Sequence, residues 1–315
     1  MPPRKPAAAA SRARVRAASR AVVDIPVATP RIDVRKTYKL YIGGAFPRTE
    51  SGRSYLVSGA DGTVLANACR ASRKDLRDAV RAARKAFPGW AGKTAMNRGQ
   101  ILYRVAELME GRRDQFIAEV AIAEGLSRPR ATAAVDRAID RWVWYAGWAD
   151  KIAQVLGSSN PVAAPYFNFT IPEPTGVVGI VAPQDRSLLG LVSRLAPAIV
   201  GGNAAVVLAS ETSPLPAVSL AEVLATSDVP GGVVNILTGT TAELVPWLAG
   251  HMDVNAIDVT GVPEDLLTQT ERLAAENVKC VHRAPGGDLF AASAQSPYEV
   301  TALMELKTVW HPMGA

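Results

Sequence analysis

From Gly176 onward, short runs of almost purely apolar residues alternate with segments of helical periodicity, and this alternation restricts the fold more than any other feature. The apolar runs lie at 177–181, 204–208, 233–237, 256–259 and 278–281. Helical patterns separate them near 188–200, 216–226, 241–249 and 263–276. Near-continuous apolar strands between helices are typical of a parallel sheet covered on both faces. Because crossovers between parallel strands are right-handed, we predict an α/β fold with a Rossmann-like, doubly wound sheet.

A helical region precedes this sheet. After a short strand over 38–42, Ser72 and Asp75 have the spacing of a capping box, and the apolar residues of 76–87 recur at helical intervals. Two further helices are predicted over 101–109 and 116–120, and a longer one over 132–155. The longest helix carries its apolar and aromatic residues on one face, which is typical of core packing rather than of a cofactor site.

Two segments do not fit the predicted parallel sheet. Residues 162–171 alternate weakly between polar and apolar and precede two prolines, and residues 296–310 are followed by His311 and Pro312. Proline limits a strand to the edge of a sheet, since it lacks a backbone donor. Both segments are therefore predicted to be edge strands that pair with another strand.

The formal net charge of +6 is concentrated at the amino terminus. Residues 1–23 contain six basic residues and no acid, so the rest of the chain sums to zero. We expect a disordered basic tail over 1–33, with a transit peptide as the alternative. Contact with nucleic acid would depend on this tail alone, and we favour a solvated tail that binds none.

The two cysteines, Cys69 and Cys280, form neither a disulfide framework nor a metal-ligand spacing. We therefore expect a cytoplasmic protein without a bound metal. No apolar run approaches the roughly 18 residues needed to cross a membrane. The sequence also lacks the G-x-G-x-x-G fingerprint, the P-loop and the G-x-S-x-G elbow. Cys280 falls in the last predicted strand, where we expect a small buried core residue.

Several stretches, all in one order, resemble the NAD(P)-dependent aldehyde dehydrogenase superfamily. They are residues 86–90, 98–102, 173–183, 196–203, 230–239, 260–261 and 286–287, so that the resemblance spans about 36–290. It implies a nucleotide-binding domain over 34–158 and 174–292. It also implies the family chemistry, in which a cysteine attacks an aldehyde and hydride passes to a nicotinamide cofactor.

The catalytic positions implied by the resemblance are all replaced. The asparagine that donates to the oxyanion falls on Asp185, whose ionised carboxylate only accepts hydrogen bonds. The glutamate base falls on Ala284, and no cysteine follows that motif. The resemblance therefore indicates a shortened member of the family that lacks the catalytic domain and has no catalytic residues.

The cofactor positions implied by the resemblance are partly kept. The retained residues are Glu211, Gly239, Thr260 and Gly261. Leu208 replaces a lysine, Val262 replaces a serine and Leu266 replaces a glycine, so these three depart from the pattern. Pro263 removes an amide donor, and acids follow it where phosphates would meet a helix N-terminus. NAD(P) is the cofactor by resemblance, and these changes argue against tight binding.

The segment 302–310 resembles the extreme carboxyl terminus of full-length family members, which forms a small sheet that docks on a neighbouring subunit. We therefore predict oligomerisation strands over 159–173 and 296–315. The favoured hypothesis is a non-catalytic subunit that assembles with a full-length aldehyde dehydrogenase or with itself. The alternatives are an NAD(P)-dependent oxidoreductase with residual or altered activity on an aldehyde, and a regulatory module that binds through the basic tail.

Overall fold

The computed structural model describes residues 34–314, so the predicted tail over 1–33 lies outside the described part of the chain. The strands are β1 (Thr37–Tyr38), β2 (Ser54–Ser58), β3 (Val64–Cys69), β4 (Ser158–Asn160), β5 (Tyr166–Pro174), β6 (Val177–Val181), β7 (Ala204–Leu208), β8 (Val234–Leu237), β9 (Ala256–Asp258), β10 (Cys280–His282) and β11 (Met304–Pro312). The helices are α1 (Arg73–Ala91), α2 (Ala95–Gly111), α3 (Arg113–Glu124), α4 (Arg128–Ala146), α5 (Ile152–Leu156), α6 (Leu189–Val200), α7 (Leu215–Leu224), α8 (Thr241–Ala249), α9 (Glu264–Ala275) and α10 (Tyr298–Thr301).

The central sheet has five parallel strands in the spatial order β10-β9-β6-β7-β8. Every residue of β6, β7, β8 and β9 is buried, as near-continuous apolar strands require. The chain winds outward from β6 to β8, then returns to the other side of β6 and winds through β9 to β10. The predicted Rossmann-like doubly wound sheet is confirmed, and its winding reverses between β6 and β9.

Helices cover both faces of this sheet because side chains of a strand alternate between the two faces. One face packs on α6, α7 and the amino-terminal helices α2 to α4, and the other packs on α1, α8 and α9. Within β7, Ala205 and Val207 belong to the first core, and Val206 and Leu208 belong to the second. The predicted capping box at the start of α1 is present, with Ser72 as the N-cap.

The amino-terminal region departs from its predicted outline in three places. The strand predicted over 38–42 is limited to β1, and Tyr41 and Ile42 form only isolated bridges. The helix predicted over 132–155 begins earlier and ends at Ala146, where Gly147 caps it, and α5 follows after a turn. Its predicted apolar face is nevertheless buried throughout, including Ala149 and Ile152 beyond the break. The antiparallel pair β2–β3 was not predicted, and it forms a sheet of order β1-β3-β2.

The two predicted edge strands pair with each other. β5 and β11 run antiparallel over nine residues, from Met304 opposite Pro174 to Pro312 opposite Tyr166. β4 adds to the other side of β5, so that β11, β5 and β4 form what we call the small sheet. No helix among the described residues is long and apolar enough to cross a membrane.

The last predicted strand of the central sheet is shifted and is not buried. β10 begins at Cys280, and within residues 34–314 it pairs with β9 alone, so it forms the edge of the sheet. Val278, predicted to lie in this strand, precedes it at a φ of 57° and is 90% exposed. Cys280 is itself exposed, so the expectation of a buried core cysteine was wrong.

Candidate functional site

A crevice of about 450 Å³ lies at the carboxyl ends of β6, β9 and β10, where the sheet reverses its winding. This is the place at which open α/β sheets bind ligands. The loops that follow the three strands line it, together with the segment that leads to β11. Its lining residues include Asp185, Arg186, Arg194, Thr260, Ala284 and Glu299.

The fold brings to this crevice both residues that the resemblance aligns with catalytic positions of the family. Asp185 follows β6 and is exposed, and Ala284 follows β10. The amide of Ala284 donates to the hydroxyl of Thr260 over 2.9 Å, which ties the loop after β10 to the loop after β9. Neither an ionised carboxylate at Asp185 nor a methyl group at Ala284 can donate a hydrogen bond to a developing oxyanion.

No thiol lines the crevice among the described residues, since the free cysteines there are Cys69 and Cys280. Cys69 is buried at the end of β3. The Sγ of Cys280 donates to the carbonyl of Ala302 over 3.3 Å. Partial burial, and then the charge of Glu305, raise the pKa of the Cys280 thiol. A raised pKa lowers the fraction of thiolate and so makes Cys280 a poor nucleophile.

A buried ion-pair cluster lies beneath the crevice. Arg194 of α6 pairs with the carboxylate of Glu299, and its guanidinium also lies 3.8 Å from Asp258 Oδ2. His282 Nε2 contacts the same Glu299 carboxylate at 3.0 Å. Burial opposes ionisation of Glu299, but the His282 hydrogen bond and the Arg194 charge outweigh it and lower its pKa to about 2. The cluster therefore joins α6 to α10 through an ion pair and β10 to α10 through a hydrogen bond.

The retained glutamate of the cofactor pattern is engaged within the chain. Glu211 Oε2 accepts a hydrogen bond from the amide of Thr241 over 2.7 Å, at the start of α8. The amide of Glu211 donates to Gln184 Oε1 over 2.8 Å, and Gln184 Nε2 donates to the carbonyl of Ala182 over 2.9 Å. The Gln184 side chain thus bridges the loops that follow β6 and β7.

The start of α9 is poor in groups that could receive a phosphate. Pro263 is the N-cap and has no amide, and no side chain caps this helix. Val262 is buried, whereas Glu264 and Asp265 are exposed in the first turn. Glu264 pairs with Arg283 at 2.9 Å. Acidic side chains in the first turn of a helix interact favourably with the positive end of its dipole. They also repel an anionic ligand at the same place.

Packing accounts for both retained glycines. A Cβ on Gly261 would lie 2.1 Å from the carbonyl oxygen of Ala182, so only glycine fits where β6 and the loop after β9 meet. Gly239 has a φ of 153°, and a Cβ there would lie 3.1 Å from the amide nitrogen of Ala71. The fold needs these glycines whether or not a cofactor binds.

A sequence model of the aldehyde dehydrogenase family matches residues 47–289, most of the chain. The chain belongs to the aldehyde dehydrogenase family. It is 34% identical over 268 residues to the cytosolic 10-formyltetrahydrofolate dehydrogenase of Mus musculus, with 82% of this chain and 29% of that protein covered. It is 32% identical over 267 residues to aldehyde dehydrogenase, cytosolic 1, of Elephantulus edwardii, with 82% and 52% covered.

Solved structures of the family share the fold. An NAD+ complex of an aldehyde dehydrogenase from Bacillus cereus superposes with a TM-score of 0.72 at 28% identity, over 78% of this chain and 50% of the other. The chain therefore spans about half the length of that aldehyde dehydrogenase, and less than a third of the first relative. β10 and β11 are joined by residues 283–303, which include a 3-10 turn at Ala292–Ala294 and the short helix α10.

The carboxyl end of the sheet in this aldehyde dehydrogenase family member does not fit the family's dinucleotide. Leu208 is buried and its side chain offers no donor to a ribose, and Leu266, in the first turn of α9, packs against the core. The carboxylate of Glu211 already caps α8, and acids stand at the start of α9. Among residues 34–314, no group of three or more His, Cys, Asp or Glu side chains could hold a metal ion.

Sequence reasoning missed the ion-pair cluster of Arg194, Glu299 and His282. One signal was available, because Arg194 is the only charged residue of α6, a helix that is otherwise apolar or small. A charge within a continuously buried helix requires a partner of opposite charge. The partner, Glu299, lies more than one hundred residues away in the chain, so the sequence pattern did not identify it.

Proposed function

We propose that this chain is a non-catalytic member of the aldehyde dehydrogenase family that assembles with a full-length, active aldehyde dehydrogenase. The observation that carries the proposal is the small sheet, which leaves large apolar side chains uncovered. Leu306 is 66% exposed and Trp310 is 58% exposed, and the register puts both on the same face. Exposed apolar clusters of this kind are typical of interfaces between proteins.

The edge of the small sheet supports the same proposal. β11 is the outer strand, and among the described residues its backbone pairs with β5 alone over all nine residues. A long strand with an open edge accepts further backbone hydrogen bonds, which makes it a liability for an isolated chain. A partner strand or surface would remove that liability.

The small sheet is held firmly to the body of the chain, as a docking element requires. Asn203 Nδ2 donates to the carbonyl of Leu303 over 2.8 Å, directly before β11 begins. Within the sheet, Lys307 pairs with Glu173 at 3.1 Å and the hydroxyls of Thr170 and Thr308 lie 2.9 Å apart. A sheet fixed in this way loses little conformational entropy on binding.

The crevice supports the non-catalytic part of the proposal. The oxyanion donor is replaced by Asp185, the base is replaced by Ala284, and the crevice has no thiol among residues 34–314. Each of these groups supplies a separate step of the family chemistry. We infer a cytoplasmic location for the assembly, and the word cytosolic in the names of both relatives supports this inference.

The test is co-expression of this chain, carrying an affinity tag, with its nearest full-length aldehyde dehydrogenase homologue. Size-exclusion chromatography with light scattering is expected to show a mixed oligomer that contains both chains at a fixed ratio. The proposal fails if the chain elutes at its own mass while the homologue elutes as its usual oligomer.

A pair of matched variants locates the interface. L306E/W310E adds two charges to the exposed face of the small sheet, and we expect it to weaken the mixed oligomer at least about tenfold. M96E/Y103E adds the same charges to exposed side chains of α2, where the oligomer should be unaffected. Equal loss of assembly in both variants would show that the small sheet is not the interface.

A further inference from the structure

The crevice at the reversal of the sheet has the position of a nucleotide site and an unusual distribution of charge. Three carboxylates, those of Asp185, Asp288 and Glu299, line it against the two guanidinium groups of Arg186 and Arg194. The Arg194 guanidinium is already neutralised by Glu299 in the buried cluster. An anionic ligand entering this crevice therefore meets more negative than positive charge.

The first turn of α9 increases this imbalance where a pyrophosphate would need compensation. Glu264 and Asp265 are exposed there, and Arg283 neutralises the first of them. In helices that receive phosphates, free amides and a positive dipole end attract the anion. Here Pro263 has removed one amide and two carboxylates compete with a phosphate for the same dipole.

Backbone and side-chain groups that could bind a ribose are satisfied within the chain. The carbonyl of Gln184 accepts from the Ser210 hydroxyl over 2.9 Å, and the Gln184 side chain spans from Ala182 to the amide of Glu211. Glu211 in turn caps α8 through Thr241. A ribose would compete with these contacts for the same groups, and each hydrogen bond that it displaces costs free energy.

We infer that the carboxyl end of the central sheet, including the crevice, excludes dinucleotide cofactors, so that the chain keeps the nucleotide-binding fold of its family without binding NAD(P). Three features replace the cofactor contacts. They are the internal hydrogen bonds of Gln184 and Glu211, the acids at the start of α9, and the apolar side chains of Leu208 and Val262. This inference does not depend on the proposed assembly, because it concerns the chain on its own.

The test is direct binding of NAD+ and of NADP+ to the purified full chain, by isothermal titration calorimetry and by thermal unfolding. We expect no saturable heat and no rise in the unfolding temperature at millimolar cofactor, since a ligand stabilises only a protein that it binds. A full-length aldehyde dehydrogenase measured in parallel shows that the cofactor samples are competent. Saturable binding with a dissociation constant below the millimolar range would overturn the inference.

The variant L208K/V262S/E264Q/D265N tests whether the named residues are the cause. It restores the family's lysine and serine and removes two exposed charges, and we expect binding to strengthen by about tenfold or more. V262S/E264Q/D265N leaves the buried Leu208 untouched and serves if the larger variant does not fold. E271Q/E276Q is the matched control, because it removes the same charge from exposed positions near the other end of α9. A folded variant that binds no better than this control would overturn the assignment of the exclusion to these residues.

Discussion

The imidazole Nε2 of His282 lies 3.0 Å from Glu299 Oε2 and joins edge strand β10 to the short helix α10. Arg194 pairs with the same carboxylate oxygen from α6. The Glu299 carboxylate therefore links edge strand β10, helix α6 and helix α10, which leads into β11. Because Glu299 and Arg194 are both buried, removing either one leaves the other as an unpaired buried charge, which lowers the stability of the fold.

Replacing Glu299 with glutamine is expected to destabilise the fold. The variant removes the negative charge but keeps the size of the side chain, so that buried Arg194 loses its closest counter-charge. We expect the free energy of unfolding at neutral pH to fall by about 3 kcal/mol, measured by urea denaturation. The matched control is E305Q, which changes an exposed glutamate of β11 and should leave the stability nearly unchanged. Equal effects of the two variants would contradict this account.

The same carboxylate predicts an acid-sensitive part of the stability. The pKa of Glu299 is lowered from 4.5 to about 2 in the folded chain, so its contribution is complete above the unfolded pKa. That contribution is lost as the pH falls from about 4.5 toward about 2, because the unfolded state then binds the proton more readily. The difference in stability between wild type and E299Q should therefore shrink across this range. A difference that stays constant from neutral pH to about pH 3 would be inconsistent with this assignment.

Asn203 is predicted to be as important for stability as a large core residue. Its Oδ1 accepts from the amide of Gly176 over 2.9 Å, and its Nδ2 donates to the carbonyls of Ala198 and Leu303 over 3.0 and 2.8 Å. N203A leaves these buried backbone groups without partners, which should cost about 3 kcal/mol of unfolding free energy. N97A, at a partly exposed asparagine of α2, is the control and should stay within about 0.5 kcal/mol of wild type.

Two glycines in the loops after β9 and β10 should respond differently to the same substitution. A Cβ on Gly261 would lie 2.1 Å from the Ala182 carbonyl oxygen, so G261A must displace the backbone and should cost more than about 2 kcal/mol. A Cβ on Gly286 meets nothing within 4 Å, and its backbone is not left-handed. The free energy of unfolding of G286A should therefore lie within about 0.5 kcal/mol of the wild-type value. Thermal or urea unfolding of both variants measures these differences. A G261A variant as stable as wild type would show that the loop after β9 does not closely contact the end of β6.

Restoring two family positions is not expected to restore aldehyde oxidation. D185N/A284E returns an amide donor and a carboxylate to the crevice, but no thiol among residues 34–314 lines it. Neither this variant nor wild type should form NADH from NAD+ and an aldehyde, because the covalent step lacks its nucleophile. Aldehyde-dependent NADH formation above a protein-free blank, by either protein, would refute the non-catalytic proposal.

The sequence predicted those parts of the fold that depend on local patterns. The capping box of Ser72 and Asp75 and the runs that became β6 and β7 all have short-range signatures, because capping and burial on both faces constrain neighbouring residues directly. The resemblance added the ordering of motifs, which assigned Asp185 and Ala284 to two catalytic positions of the family. The structure brings both residues to one crevice, after β6 and β10.

The parts that were missed depend on spatial order. The connections between strands determine whether a strand lies at the centre or at the edge of a sheet. Hydrophobic periodicity does not indicate this position. Cys280 was therefore expected in the core, although it lies on an exposed edge strand. The β2–β3 pair was missed because Ser54–Ser58 is short and largely exposed, and so has no clear apolar face.

The pairing of β5 with β11 also has a consequence for how the chain folds. Thr170 and Thr308, which face each other in the small sheet, are 138 positions apart in the sequence. Contacts between such distant segments form late, because the loop between them must first be ordered. During synthesis β5 therefore leaves the ribosome long before β11 exists, and for that interval the edge of β5 that will pair with β11 is open. A nascent chain can meet a strand of another polypeptide at β5 before it completes its own sheet, so the timing of translation can influence which chains assemble.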